Sequence, residues 1–286
     1  MDKVTEGMHK RLNDQPVVQK WLPEMKPETI ADGIYENMPF EVYQSIDAWN
    51  SSRIKDLVDS KGNSTAGDFY AKHIHKVFSV RLKEIEDQAH FVVGRKIHER
   101  TLFGAWDCRT DPEVFNNKNQ KGRDAFRNVE MCAASLLARP TFQNYLSGAY
   151  REVVIVVTCP ITGLRLKAMI DILDSDLQNV IDIKSTANMA DLVADVEWKS
   201  TFTKYGYPMQ QAHYLQVVNI ACGEPLFGAV RKMVFAAVEK GKNYSVKFIE
   251  RDYDKRQNDH DLYIKTLKEL ALRLKENNWF DTSTII

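Results

Sequence analysis

Residues 164–184 constrain the fold most, because two alternating segments are joined by a polar turn. Over residues 164–172, apolar side chains recur at every second position, which is the period of a β-strand with one set of side chains on each face. The turn is indicated by the aspartates, serine and asparagine of residues 174–179. Residues 180–184 form the second predicted strand. The segment therefore predicts a β-hairpin.

This hairpin carries three charged side chains. The period of two places Asp182 and Lys184 on the same face of the second strand, and Asp171 lies beside Asp182 if the two strands pair. Buried carboxylates need partners, and oxygen ligands at one site suit a hard cation such as Mg²⁺ or Mn²⁺. Such a cation activates water and neutralises charge on a phosphate, while a lysine orients the water. The alternative is a structural salt bridge at a strand end.

Length and charge limit the partners that the chain can bind. Its 286 residues are enough for one large domain or a domain with an arm. Because 39 basic residues balance 39 acidic ones, a polyanion must be bound by a local basic surface. Lys118, Lys121, Arg123 and Arg127 form a candidate, with a solvated helix face as the alternative. No apolar run approaches the roughly 20 residues of a membrane span, and the N-terminus has no apolar signal core. We therefore expect a cytoplasmic protein.

The order of elements predicts an α/β fold. Residues 1–40 are polar and contain four prolines, which predicts an N-terminal arm or lead-in, and 41–286 are predicted to form a single domain. Helices are predicted before residue 150. The later predicted elements are three strands over 151–184, helices over 188–201 and 208–222, strands over about 228–238 and 244–250, and a helix over about 254–276. This order indicates a central mixed sheet flanked by helices.

Two predicted helices and one strand carry further candidates. On the helix predicted over 86–103, His98 lies one turn after Gly94, and a glycine inside a helix suggests close backbone packing. His98 is a candidate ligand or base near the carboxylates, with a structural histidine as the alternative. Glu152 opens a strand rich in valine and isoleucine. Gln210 and Tyr214 share one helix face and could hydrogen-bond a substrate phosphate or the lysine region, with an ordinary polar stripe as the alternative.

In chain order, these motifs resemble the RecB-type branch of the PD-(D/E)xK nuclease superfamily. Within that branch, roughly residues 41–275 resemble the RecE (exonuclease VIII)-like nucleases of phages and prophages. The motifs that carry the resemblance are Gly94-x-x-x-His98, Glu152, Asp171, Asp182-Ile183-Lys184 and Gln210-x-x-x-Tyr214. One position departs from the superfamily pattern, because Ile170 stands where its name places a proline before the first acid.

The resemblance implies a restriction-endonuclease-like core and a metal site in it. Asp171 and Asp182 are then expected to bind a catalytic Mg²⁺, for which Mn²⁺ can substitute. His98 and the carbonyl group of Ile183 are expected as further ligands.

The resemblance also implies roles for the remaining candidates. Lys184 is expected to position or activate the attacking water, and Glu152 to support the site. Gln210 and Tyr214 are expected to contact the DNA end or to orient Lys184. The four cysteines lack the spacing of the iron–sulfur relatives in this branch, so no cluster is expected.

The activity implied by the resemblance is 5′→3′ degradation of one strand of linear double-stranded DNA. The remaining 3′ overhang would pass to a single-strand annealing protein for recombination. The enzyme would be a ring of subunits, a tetramer, in the cytoplasm of a bacterial host cell. Two alternatives stay open: a site- or structure-specific endonuclease of the same superfamily, and a non-catalytic DNA-binding protein with a nuclease fold.

Overall fold

The computed structural model describes residues 16–57, 66–74, 89–193, 201–224, 231–241 and 243–280. Within these residues, seven strands form one sheet in the order of the chain. The strands are β1 (Val18–Lys20), β2 (Gly33–Glu36), β3 (Tyr150–Thr158), β4 (Arg165–Leu173), β5 (Asn179–Thr186), β6 (Lys232–Glu239) and β7 (Val246–Glu250).

Helices cover the sheet. The α-helices are α1 (Phe40–Ser45), α2 (Ser51–Lys55), α3 (Ala66–Phe69), α4 (Ala89–Phe103), α5 (Gln120–Leu137), α6 (Pro140–Leu146), α7 (Met189–Val193), α8 (Thr201–Lys204), α9 (Tyr207–Ala221) and α10 (Tyr253–Glu276). A π-helical turn follows α3, and two short 3₁₀ helices lie in the connections. In the described part of the chain, no helix is both long and apolar enough to cross a membrane.

The sheet is mixed. Strands β1 and β2 are parallel, as are β5 and β6, and the other neighbouring strands are antiparallel. The parallel pair β5–β6 requires a crossover connection, and this connection contains α7, α8 and α9. The predicted α/β class, with a central mixed sheet flanked by helices, is confirmed.

Apolar side chains bury both faces of the sheet. On one face Leu166 and Phe235 pack with α9 and α10, through residues such as Val217. On the other face Ile183 packs with α4 and α5, through residues such as Ile97. Because each face has its own helical layer, β5 is buried on both sides and its charged residues lie inside the molecule.

The first 40 residues contribute to the sheet. Within this predicted arm, β1 pairs with β2, and β2 pairs with β3 through Ile34 opposite Ile155. Tyr35 is buried in a third apolar cluster. Residues 18–36 therefore extend the central sheet instead of remaining a separate lead-in, while the domain boundary at residue 40 stays a prediction.

His213 fixes α9 to the sheet and to α10. Its Nε2 lies 2.9 Å from the carbonyl oxygen of Lys167, and its Nδ1 lies 2.9 Å from the hydroxyl oxygen of Tyr263. Because a carbonyl oxygen only accepts, Nε2–H is the donor and the Tyr263 hydroxyl donates to Nδ1. Burial lowers the pKa of His213 to about 4, so the ring is neutral at neutral pH.

Replacing Tyr263 with phenylalanine should leave the buried Nδ1 of His213 without a donor. We expect the free energy of unfolding to fall by about 1–3 kcal/mol, as measured by urea denaturation at pH 7.5. Tyr205→Phe, which removes a hydroxyl from an exposed ring, is the matched control and should change it by less than about 0.5 kcal/mol. Equal losses in the two variants would contradict this account.

His213 should also make stability depend on pH. Its pKa in the folded protein lies below the ordinary value of 6.5, so the neutral ring favours folding. This contribution is complete above pH 6.5 and is lost as the pH falls towards 4. Between pH 7 and pH 4, the free energy of unfolding of the wild type should fall by up to about 3 kcal/mol more than that of His213→Gln. Parallel pH profiles in urea denaturation would show that His213 is not responsible.

Candidate active site

Strands β4 and β5 separate where the candidate residues lie. Their ladder pairs Leu173 with Val180 and Ile172 with Ile181, and it ends there. Beyond this point, the Asp171 Oδ2 accepts a hydrogen bond from the backbone N–H of Ile183 at 2.7 Å. The carboxylate thus satisfies a buried backbone donor that no longer has a ladder partner.

Each strand has another partner where the two diverge. Strand β5 pairs with β6 along its whole length, from Asn179 to Thr186. The beginning of β4 is bonded to Trp49, whose N–H donates to the Arg165 carbonyl and whose carbonyl accepts from the Lys167 N–H, both at 2.9 Å. The opening between β4 and β5 is therefore held by regular hydrogen bonds on both sides.

The predicted alternation along 164–172 breaks at Asp171. Leu166, Ala168 and Ile170 pack in one core cluster, whereas Ile172 packs in the cluster on the other face. The expectation that Ile172 shares a face with Ile170 is therefore wrong. The reason is a local change in the backbone of the neighbouring strand.

That change is centred on Glu152. Arg151 pairs with Ile172 and Val153 with Ile170, while Glu152, which faces Asp171 in the same register, is left out of the ladder. Glu152 has a φ of 47°, a left-handed conformation that is unfavourable for a residue with a side chain. Burial and the nearby Asp171 carboxylate raise the pKa of Glu152. Glu152 therefore lies at the site, as predicted, and in a strained conformation.

Helix α4 brings His98 to Asp171. A Cβ atom built on Gly94 would lie 3.4 Å from Ser185 Oγ, an ordinary contact distance, so α4 lies against β5 at this residue, as predicted, although an alanine would also fit. One turn later, His98 Nδ1 lies 3.4 Å from Asp171 Oδ2. Burial alone would lower the pKa of His98, but the Asp171 carboxylate raises it above its ordinary value. The same interaction with His98 lowers the pKa of Asp171, although burial alone would raise it.

Asp182 and Lys184 face the same side of β5, as the period of two predicts. The Lys184 Nζ lies 2.5 Å from Asp182 Oδ2, and Gln210 Nε2 donates to Asp182 Oδ1 at 2.9 Å. Gln210 therefore contacts Asp182, the residue that pairs with Lys184. The resemblance implied instead that Gln210 contacts the DNA end or orients Lys184. The hydroxyl of Tyr214 is hydrogen-bonded to Gln210, and burial raises its pKa well above the usual value.

The two carboxylates and the lysine influence one another strongly. Burial is the main reason why the pKa of Asp182 is raised to about 6. The nearby Lys184 ammonium lowers this pKa, and repulsion by the Asp171 carboxylate raises it. Burial alone would lower the pKa of Lys184, but Asp182 raises it above its ordinary value. Two carboxylates in a small buried space repel each other, and a bound cation would reduce this repulsion.

One residue at the site was missed by the sequence analysis. The ring of Tyr207 lies under the Lys184 ammonium, with its centroid 4.8 Å from Nζ. A signal was present in the sequence, because Tyr207, Gln210 and Tyr214 follow the i, i+3, i+7 spacing of a single helix stripe.

The donor atoms fit a hard divalent cation. His98 offers an imidazole nitrogen, and Asp171 and Asp182 offer carboxylate oxygens. Asp182 Oδ2 is buried and is held by the Lys184 ammonium, so a cation bound at this oxygen would compete with the lysine. In the described part of the chain, however, no three histidine, cysteine, aspartate or glutamate side chains are close enough together to hold an ion. Ile183 presents its N–H to Asp171, and its carbonyl as a ligand stays a prediction.

The predicted basic cluster lies at the start of α5. Its side chains are exposed, but Arg123 donates to the Asn117 carbonyl and to Gln120, and Arg127 lies 3.9 Å from Asp124. A role in contacting phosphates stays a prediction.

Comparisons with known proteins agree with this architecture. Residues 51–283 match the family described as PDDEXK-like domain of unknown function (DUF3799). The crystal structure of a "Putative exonuclease" from Eubacterium rectale aligns with a TM-score of 0.64 and 19% identity, over 84% of this chain and 87% of that one. At this identity the alignment shows the fold alone. SSO0001 aligns with a TM-score of only 0.28 and 14% identity, over 66% of this chain and 88% of that one, and carries no argument. The comparison with curated proteins gave no match.

A mixed sheet whose two central strands part around two carboxylates and a lysine defines the class of PD-(D/E)xK nuclease domains. Because the family match covers most of its length, the chain belongs to the PDDEXK-like domain family of unknown function, within that superfamily. The narrower likeness to RecE stays a prediction.

The strain at Glu152 should be measurable. Glycine adopts a φ of 47° freely, whereas alanine does not. We therefore expect Glu152→Gly to be more stable than Glu152→Ala by about 1 kcal/mol in urea denaturation. The same two substitutions at Thr158, an exposed residue at the end of the same strand, are the control and should show the opposite order. The same order at both positions would refute local strain at Glu152.

Proposed function

We propose that this protein is a metal-dependent deoxyribonuclease, and that it degrades linear double-stranded DNA from its ends in the 5′→3′ direction. The observation that carries the proposal is the convergence of four side chains, His98, Asp171, Asp182 and Lys184, where β4 and β5 separate. A buried set of two acids, an imidazole and a lysine has the groups that phosphodiester hydrolysis requires.

The metal would be held by His98, Asp171 and Asp182, whose side chains would have to draw closer together than they now lie, with the Ile183 carbonyl as a further ligand. Mg²⁺ is the expected ion, with Mn²⁺ as a substitute, because the donors are mainly hard oxygens. When bound, the ion lowers the pKa of water and neutralises the negative charge of the phosphate.

The protein's own groups orient the reactants. Lys184 remains charged because Asp182 raises its pKa, and its ammonium can donate hydrogen bonds to the attacking water and to a phosphate oxygen. Gln210 holds one oxygen of Asp182 in place, and Tyr214 holds Gln210. Glu152, with its raised pKa, supports the site next to Asp171.

The narrower parts of the proposal rest on likeness. The Eubacterium rectale protein is named a "Putative exonuclease", and this name supports action at DNA ends. The motif order shared with RecE-like nucleases supports a 3′ overhang that passes to a single-strand annealing protein, a ring of subunits that surrounds DNA, and a place in the cytoplasm of a bacterial host cell. A zero net charge is compatible with a ring in which basic residues are concentrated along the channel that would hold the DNA.

The test is cleavage of a linear duplex labelled at either the 5′ or the 3′ end, with Mg²⁺ or with EDTA, beside a covalently closed circle. Release of the 5′ label that depends on Mg²⁺, with the circle intact, is the expected result. A cut circle would reassign the protein to the endonucleases of the superfamily. DNA binding without cleavage in any divalent metal would favour a non-catalytic role.

Lys184→Ala and Asp182→Ala should each reduce the cleavage rate at least about 100-fold. Both variants should keep the circular dichroism spectrum of the wild type, because the core clusters do not depend on these side chains. Lys232→Ala, which removes an exposed lysine from the neighbouring strand β6, is the matched control and should cleave at the wild-type rate. An inactive Lys184→Ala protein that is also unfolded would undercut a catalytic role for this lysine.

A further inference from the structure

The Lys184 ammonium has a second neighbour besides Asp182. Its Nζ lies 4.8 Å from the centroid of the Tyr207 ring, within the distance at which the face of an aromatic ring attracts a cation. Only 16% of the Lys184 side chain is exposed, so little water competes for the ammonium. The contact is therefore of the partly desolvated kind in which this attraction is strongest.

The Tyr207 ring is itself held rigidly. It stacks on Phe235, with ring centroids 5.6 Å apart and an angle of 27° between the ring planes. It also packs against Phe202 in a T-shaped arrangement, with ring centroids 5.4 Å apart. Phe235 lies opposite Asp182 in the β5–β6 register. The sheet therefore sets the position of the ring relative to the Asp182–Lys184 pair.

The backbone before α9 places this ring. Gly206 has a φ of 70°, and α9 begins at the next residue, Tyr207. A Cβ atom on Gly206 would come within 3.0 Å of the Lys55 side chain that packs over it. Because Tyr207 and Gln210 lie on one face of α9, the same helix brings a ring to Lys184 and an amide to Asp182.

A flexible lysine needs such a contact if Asp182 also binds a metal. The four-carbon stem of lysine rotates freely, and its ammonium is a point charge without a preferred direction. The carboxylate that now holds Lys184 is the one predicted to serve as a metal ligand. An aromatic face attracts the ammonium without using a carboxylate oxygen.

We propose that Tyr207 is a positioning residue, whose ring holds the Lys184 ammonium towards the attacking water and the scissile phosphate. The ring and not the hydroxyl group performs this role, so phenylalanine can replace tyrosine. This inference rests on the proposed function of Lys184 in DNA cleavage.

The kinetic test compares Tyr207→Leu, Tyr207→Phe and Tyr205→Leu in single-turnover cleavage of a linear duplex with Mg²⁺. Tyr207→Leu should lower the rate at saturating DNA about tenfold, and the DNA concentration for half-saturation should stay within about twofold. Tyr207→Phe should recover most of this loss. Tyr205→Leu is the matched control, because Tyr205 is an exposed ring of the same turn, and it should cleave like the wild type. Thermal melting of each variant checks that it is folded.

A spectroscopic test needs no activity, and its reading on the wild type does not depend on whether Tyr207→Leu folds. Lysines are dimethylated with ¹³C-formaldehyde and a borohydride-type reductant, which keeps their charge, and the Lys184 signal is identified by its absence in Lys184→Arg. Methyl groups that lie over a ring face are shifted upfield by the ring current. We expect this upfield shift in the wild type and in Tyr207→Phe, and its loss in folded Tyr207→Leu.

The outcomes separate this inference from the proposed function. An unshifted Lys184 signal in the wild type would overturn the role of Tyr207 even if the enzyme cleaves DNA. A Tyr207→Phe variant as slow as Tyr207→Leu would also overturn it, because the hydroxyl would then be the required group. If the wild type cleaves no DNA while the Lys184 signal is shifted, the proposed function fails and the contact itself stands.

Discussion

The parting of β4 from β5 is the constraint on which the candidate site depends. It is possible because β5 pairs with β6 along its whole length, so the loss of ladder hydrogen bonds to β4 does not leave β5 unsupported. The Ile183 N–H, which lies where the ladder to β4 has ended, is satisfied by Asp171. The gap then admits His98 from one helical layer and Gln210 from the other.

Electrostatics within this gap are balanced in pairs. His98 lies 3.4 Å from Asp171, and the Lys184 ammonium offsets the charge of Asp182, which reduces the cost of burying these carboxylates. The balance is incomplete, since the pKa of Asp182 stays raised to about 6. The molecule is stabilised elsewhere, by the two apolar layers on the sheet and by hydrogen bonds such as those of His213. A site of this kind is organised for binding and chemistry at some cost in stability.

Much of this arrangement could be predicted from local patterns. The period of two placed Asp182 and Lys184 together. Helical spacing placed Gly94 and His98 on one face of a helix, and a position of His98 near the carboxylates was one of two alternatives. Local patterns failed where the backbone departs from regular geometry. The left-handed Glu152 breaks the alternation along β4, and no pattern of apolar residues contains that information. The N-cap of α2 is Asn50, whose side chain accepts a hydrogen bond from the Arg53 N–H, although the adjacent Ser51 is also a good capping residue type.

The amino-acid sequence by itself determined most of the elements after residue 150, the α/β class and the identity of the charged residues, because hydrophobic period and local capping are properties of short segments. Tertiary structure decided which of these residues meet. It placed β1 and β2 in the sheet although they lie in a polar, proline-containing segment, because long-range pairing with β3 outweighs local propensity. It also brought the Tyr207 ring to Lys184, since that contact depends on how α9 packs on a sheet built from distant parts of the chain.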